Sequence, residues 1–574
     1  MKTTNPMMRR ERGQRRALRL RTCGRTIATM ALCGTLAVGM LAGCSTAAGD
    51  AGSAAVSTMA ASSGTTVEVE ATITLSGDTA SVDGDGVEVD GSCVTITESG
   101  TYAITGTLDD GRVVVDADDV VLLLDDVDIT CMDDNALHIK GDDVTVTLVD
   151  GSTNVLTSGE ETSELTADDE ASGSALLAKG TLTIDGDGTL VVGGYINNGI
   201  NGKAGLTIEG GTIVVTAVND GIKSSEGNVA ITGGTITVTS GDDGIQAEGT
   251  MEVEGATIDV TATGKGMTAE GDLTIDDAST SITIDTQNEG IESKAVLTIN
   301  DGTIDITAVD DGLNAGGGTS SFGDMGDMGV EAPSADGGMP DMGEAPSADG
   351  ATGGDATTDD AAAEDAATDD ATTEDDGEHT IVINGGTLTI DASGDGIDSN
   401  GDLIVTGGTI TVYGPTSGGD GAIDVATENG GVATISGGTI IAIGSNGMAE
   451  TFDASSSQCS FMYGLDSTYA AGTTVTVSDA SGNVLYEVEA TKEFGNVVFS
   501  SADLVDGETY TLSVGDDTYE VTLDGTSTTA GTTTGGMGAM GAGQGGFPGQ
   551  PGDTTTGDTP GDTTGDTTGD TNGA

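Results

Sequence analysis

The sequence predicts an all-β chain wound as a right-handed parallel β-helix, a solenoid of coils about 22 residues long. Three observations predict it. A Gly-Thr-apolar signature recurs as GGTIVV at Gly210, GGTITV at Gly233, GATIDV at Gly255, DGTIDI at Asp301, GGTLTI at Gly385, GGTITV at Gly407 and GGTIIA at Gly437. A second signature lies half a period away: NDGIKS at Asn219, DDGIQA at Asp242, GKGMTA at Gly264, NEGIES at Asn288, DDGLNA at Asp310 and GDGIDS at Gly394. Between them, runs such as Leu206-Thr207-Ile208 and Ile236-Thr237-Val238 are apolar at every second position, the period of a strand with one buried face.

The spacing follows from these signatures. The threonines fall at Thr212, Thr235, Thr257, Thr280 and Thr303, then resume at Thr387, Thr409 and Thr439. A unit this short, with two or three strands, cannot bury its apolar face alone, whereas stacked copies can. Each coil would then pair with the next at roughly 4.8 Å, aligning aliphatic side chains in internal ladders. Glycines at the repeated positions are expected where turns need φ > 0.

Element by element, Val113-Val114-Val115, Val120 to Leu124 and Val144-Thr145-Val146 read as degenerate coils of the same solenoid. The β-helix with its N-terminal cap spans residues 65–315 and continues over 379–450. Residues 316–378 interrupt it with a Gly, Met, Asp, Ala and Thr composition expected to be disordered. Thr303 and Thr387 are 84 residues apart, and removing the 63-residue interruption leaves 21, close to one period. Residues 451–525 carry most of the aromatics and read as a small C-terminal antiparallel β cap, with a hairpin turn at Asp479-Ala480-Ser481-Gly482-Asn483. Residues 526–574 read as a low-complexity tail.

Composition removes several functions. The chain has 574 residues, 17 Lys+Arg against 95 Asp+Glu, a net charge of −78, 2% aromatics and no Trp. A nucleic-acid binder needs a cationic footprint and stacking rings, so no nucleic-acid partner is expected. Residues 1–43 hold nine of the basic residues and one acid, Glu11, leaving 94 acids against 8 bases, a net of −86. A basic segment followed by the apolar run Ile27–Ala42 and Leu41-Ala42-Gly43-Cys44 reads as a lipoprotein signal peptide, with Cys44 the lipidated residue and 44–64 a flexible linker. The chain is therefore expected to be exported and anchored by lipid to the cell membrane, facing the exterior, as a monomer. Cys93 and Cys131 could pair in an oxidising compartment or remain buried thiols, with Cys459 left over.

The DGI signature places Asn219, Asp220, Asp242, Asp243, Asn288, Glu289, Asp310, Asp311 and Asp395 at matching positions of stacked coils. Neighbouring carboxylates repel and raise one another's pKa unless a cation lies between them. A hard divalent ion with oxygen ligands relieves the conflict, and Ca²⁺ tolerates the irregular geometry of turns. Asp-Gly as simple turn chemistry is the alternative. Lys203, Lys223, Lys265 and Lys294 lie near the same turns and are either a cationic row for a uronate carboxylate or ion-pair partners of the acids. His138 and His379 stand alone, and no pattern of catalytic residues is found.

With its DGI and GGT repeats, its lipobox, its Met/Gly-rich insert and the segment FGNVVFSSADLVDGETYTLSV from Phe494, the chain resembles the bacterial carbohydrate-binding domain-containing β-helix proteins. That resemblance implies a calcium-containing right-handed β-helix, similar in shape to pectate-lyase-type enzymes, that binds cellulose or acidic sugars such as polygalacturonate. Its calcium ligands would come from the DGI turns, with the coil at Lys265 departing from the pattern. The expected function is non-catalytic, cell-surface binding of acidic polysaccharide or cellulose. A polysaccharide lyase using one of the four lysines as base, or a structural adhesin without a glycan ligand, are the alternatives.

Overall fold

Strands of three to six residues, separated by short turns rich in Gly, Asp and Asn, follow one another in sets of three: Gly205–Ile208, Thr212–Ala217 and Ile222–Ser224 make one coil. In the computed structural model, which describes residues 57–60, 66–160, 173–316, 379–427 and 430–532, each strand pairs in parallel with its counterpart in the next coil. Three parallel sheets result, and the described residues contain no α-helix. One sheet is built from the DGI strands and runs from Val87–Asp90 to Asp424–Val425 in thirteen strands. The fold is the parallel β-helix read from the repeats.

Stacking in register turns the alternating pattern into ladders. Ile213, Ile236, Ile258, Ile282, Ile304 and Leu388 lie over one another and are at most 1% exposed. Ile222, Ile245, Met267, Ile291, Leu313 and Ile397 do the same under the DGI sheet. Burying one such side chain stabilises by about 1.5–3 kcal/mol, so the core grows with each coil added.

Thr303 pairs directly with Thr387 and Ile304 with Leu388, so the ladder continues across the interruption as the spacing requires. At the N-terminal end, Thr79–Gly84 runs antiparallel to Ala71–Gly77, and Val87–Asp90 antiparallel to Cys93–Ile96, closing the first coil. At the other end Phe494–Ser500 pairs antiparallel with the last long coil strand, Thr439–Gly444, and with Ser460–Tyr469. A four-stranded antiparallel sheet packs behind it, with Asp479 and Asn483 bonded across the expected hairpin turn. Ser527–Gly531, within the span read as tail, is a strand pairing with Ser460–Tyr469; its backbone completes an edge that Gly- and Thr-rich composition concealed. The signal peptide, Cys44, the linker to residue 56, the insert 317–378 and the tail beyond 532 lie outside the described residues.

Two expectations need correction. Between Thr257 and Thr303 the residue in register is Ser281, not Thr280. Here Asp276-Asp277 replaces Gly-Gly, Asp277 adopts φ +73°, and Thr280 donates its hydroxyl to Asp276 O in the turn. The second correction concerns glycine. The GGT glycines do need positive φ, as at Gly234 (+92°) and Gly408 (+89°). The DGI glycines do not: a Cβ on Gly312 would lie 2.6 Å from Gly396 O and closer still to a methyl of Ile390. Close approach to the core and the next coil, rather than backbone conformation, selects glycine there. Cys93, Cys131 and Cys459 are free thiols.

Gly312→Ala should therefore overpack the core and destabilise the chain by about 1–3 kcal/mol. Gly418→Ala, where an added Cβ meets nothing within 4 Å, should leave the denaturation midpoint unchanged. Equal midpoints for the two variants would contradict the close-approach account.

Candidate metal centre on the DGI column

The turn preceding each DGI strand holds two polar positions. Ladder register stacks the second of them into one column: Asn198, Asp220, Asp243, Lys265, Glu289, Asp311, Asp395. Their first task is local. Asn198 Oδ1 accepts Asp220 N–H (3.2 Å), Asp243 Oδ1 accepts Lys265 N–H (2.7 Å), Asp311 Oδ1 accepts Asp395 N–H (2.7 Å) and Asp395 Oδ1 accepts Gly421 N–H (2.5 Å). An Asp here caps the backbone of the coil that follows it. Turn chemistry therefore accounts for one oxygen of each, and the other oxygen remains to be accounted for.

Where a lysine is near, it takes up that charge. Lys223 Nζ is 2.9 Å from Asp220, whose side chain is 3% exposed. Lys265 Nζ is 3.7 Å from Glu289 and bonds Glu292, which Thr268 Oγ1 also reaches at 2.8 Å. Lys265 thus departs from the acidic pattern by supplying an internal cation to it. Higher up, among the described residues, no lysine forms an ion pair with Asp311 or Asp395, and Lys492 pairs with Asp391 instead. One carboxylate oxygen of each of Asp311, Asp395 and Asp398 lies within 4.8 Å of the other two. Asn314, fully buried, donates its amide to Asp311 at 3.3 Å, and its Oδ1 has no partner.

Burial dominates the electrostatics. It pushes Asp243 up to about 7, Asp311 to about 8 and Asp395 to about 9, and raises Glu289. Asp398 and Asp310 add to the shift of Asp311, while Asp311, Asp424 and Asp398 add to that of Asp395. Gly421 N–H opposes it at Asp395, and the ammonium of Lys265 opposes it at Glu289.

The predicted ligands therefore do not form one site. Asn219, Asp220, Asp242, Asp243, Asn288, Glu289 and Asp310 are distributed over successive coils, and only Asp311 and Asp395 join a three-carboxylate group. Asp398 and Asn314 were missed by the sequence reading. Both occupy the residue after the DGI apolar position, whose alternation outward could have marked them. The four lysines occupy three different columns and make no single row. Each is ion-paired, Lys203 with Glu226 (3.4 Å) and Lys294 with Glu270 (2.7 Å) besides the two above. His379 is not part of the carboxylate group, and its carbonyl accepts Ser399 Oγ.

These features define a parallel β-helix with a column of acids on one sheet edge. Residues 90–337 match the model of a family described as carbohydrate-binding domain-containing protein, which bears out the resemblance over that segment. A carbohydrate-binding domain-containing protein of Acetivibrio thermocellus is 37% identical over 128 residues, 22% of this chain. The chain spans 45% of the length of that curated relative. A solved structure, described as a polysaccharide lyase-like protein from C. thermocellum in a gadolinium derivative, is 31% identical with a TM-score of 0.38, covering 42% of this chain and all of that one.

A buried carboxyl raised above its unfolded value stabilises the fold below about pH 4, and that contribution is lost as pH climbs through the folded value. In chelator, the melting temperature should therefore fall between about pH 4 and pH 9 as Asp243, Asp311 and Asp395 ionise. Asp395→Asn, which keeps an acceptor for Gly421 N–H, should flatten the upper part of that fall. A melting temperature that rises over this range would refute the assignment.

Proposed function

We propose that this chain is a non-catalytic binder of acidic polysaccharide of the polygalacturonate kind, exported, anchored through lipid on Cys44, and carrying Ca²⁺ on its DGI sheet. The observation that carries the reading is the group Asp311, Asp395 and Asp398, three carboxylates with one oxygen of each within 4.8 Å of the other two. Two coils lower, the same conflict is met by Lys265. Asn314, whose amide donates to Asp311, adds a neutral oxygen, its buried and unpartnered Oδ1, next to the group. An all-oxygen donor set suits a hard cation such as Ca²⁺. These four residues would hold the ion, which would supply positive charge where a net of −86 otherwise repels a polyanion. Asp395 and Asp398 are only half-buried, which favours an ion that keeps a side open to a sugar carboxylate.

The family match over residues 90–337 supports carbohydrate as the ligand. Absence of Trp disfavours the flat aromatic platform suited to crystalline cellulose, and so favours the acidic glycan over it. Binding is favoured over lysis because Lys203, Lys223, Lys265 and Lys294, the bases a lyase would draw on, are each held in an ion pair.

Terbium luminescence and calorimetry should detect one site that Asp398→Asn weakens at least about tenfold, since a lost charged oxygen ligand is a large fraction of such a site. Retention of the protein on polygalacturonate should drop when chelator is added; retention unaffected by both chelator and Asp398→Asn would reject calcium bridging. Incorporation of labelled fatty acid, abolished by Cys44→Ala, checks the anchor.

A further inference from the structure

Three of the few cations of this chain sit side by side. Ladder bonds from Lys140 N to Val115 O (2.8 Å), Lys179 N to Ile139 O (2.9 Å) and Lys203 N to Ala178 O (2.8 Å) put Asp116, Lys140, Lys179 and Lys203 in lateral register. Successive members of such a column are separated by roughly 4.8 Å. The same column continues through Ser225, Glu248 and Glu270 to Lys294, as the bonds from Glu248 N to Ser224 O, Glu270 N to Ala247 O and Lys294 N to Ala269 O show. One position of the repeat is thus cationic in three successive coils, Lys140 to Lys203, and anionic at Glu248 and Glu270.

The lysines of the DGI column meet acids that are nearly inaccessible, whereas the partners here are exposed. Lys140 pairs with Asp116 at 3.1 Å and Lys203 with Glu226 at 3.4 Å, all on the exposed side. Lys179, exposed between them, makes no ion pair among the described residues. Two residues before Lys140 on the same face stands His138, half-buried, with its Nε2 lacking a hydrogen-bond partner. Burial holds this imidazole below its ordinary value; Lys179, Lys140 and Arg112 push the same way, and Asp134 opposes them. Arg112 itself is tied to Asp134. Lys140 and Lys203 each face one solvent-exposed acid, a contact that another carboxylate can exchange with at little cost, and Lys179 between them makes no ion pair among the described residues. An anion laid along the column would meet all three ammonium groups.

We propose that Lys140, Lys179 and Lys203, with His138 beside them, form a calcium-independent seat for the carboxylates of a uronate polymer lying along the stack of coils. The proposal rests on the carbohydrate reading above and adds a second, cationic site separate from the Asp311 group. A polymer carrying one carboxylate on every sugar would meet one ammonium after another in single file, a match that a globular acidic partner lacks. All four residues fall within the segment 90–337 that matches the carbohydrate-binding family.

The test uses the full chain in chelator, titrated with oligogalacturonate, with a neutral galactan of equal length and with dextran sulfate. Calorimetry gives affinity, and the imidazole signals report the site, since the chain has only two histidines. Oligogalacturonate should bind, shift the His138 resonances and leave those of His379 in place. Lys140→Gln/Lys179→Gln/Lys203→Gln should weaken binding at least about tenfold and reduce its salt dependence, while Lys294→Gln, lower in charge by the same kind of change, should not. Unchanged affinity in the triple variant, or binding that requires calcium, overturns the seat and leaves the carbohydrate reading intact. Equal affinity for dextran sulfate overturns the uronate assignment. Failure to bind any glycan with or without calcium overturns both. Circular dichroism of the triple variant, whose substituted side chains lie on the surface, checks that the fold is retained.

Discussion

Parallel pairing in register governs everything else on this molecule. A residue in one coil has as its nearest neighbours the same positions of the coils before and after, roughly 4.8 Å away. For apolar positions the consequence is favourable, and the Ile, Val and Leu ladders form a continuous core from Ile73 to Ile440. For charged positions it is a conflict, because a repeated Asp becomes a file of carboxylates at close spacing.

The chain resolves this conflict differently at different heights. In the early coils the column carries Asn135, Ser174 and Asn198, polar but neutral, with Asn135 Nδ2 donating to Ser174 O. In the middle it supplies its own cations, Lys223 and Lys265, whose partners Asp220 and Glu292 are nearly inaccessible. Towards the C-terminal end no lysine pairs with Asp311 or Asp395 among the described residues, and both are displaced far up in pKa by burial first and by neighbouring carboxylates second. The same repeat thus passes from neutral to self-neutralised to cation-seeking. The states follow from substitutions at two adjacent columns, the second turn position that carries Lys265 and the position after the apolar residue that carries Lys223, Glu292 and Asp398.

Glycine shows how one residue type serves two purposes in one repeat. In GGT it supplies a left-handed turn conformation; in DGI it yields space to the Val or Ile packed beneath and to the carbonyl of the next coil. Both uses leave the same letter at the same period. Only the backbone angle and the distance to neighbours separate them.

The sequence by itself determined the architecture, because period-two alternation and a 22-residue repeat leave stacking as the way to bury each coil's apolar face. It also determined the continuity of the ladder across residues 316–378 and the antiparallel closure around Phe494. It carried the DGI acids to one column, because matching positions must stack. Tertiary structure decided which of those acids converge. Asp398 joins Asp311 and Asp395 because its side chain leaves the outer face of the strand next to their turn, and Asn314 is sealed beneath them with one oxygen unsatisfied. It likewise decided that Lys203, Lys223, Lys265 and Lys294 part into three columns while Lys140 and Lys179 line up with Lys203. A lysine's place in the sequence gives its coil, but the direction of its side chain depends on pleat and turn, where a shift of one residue moves the charge to another column.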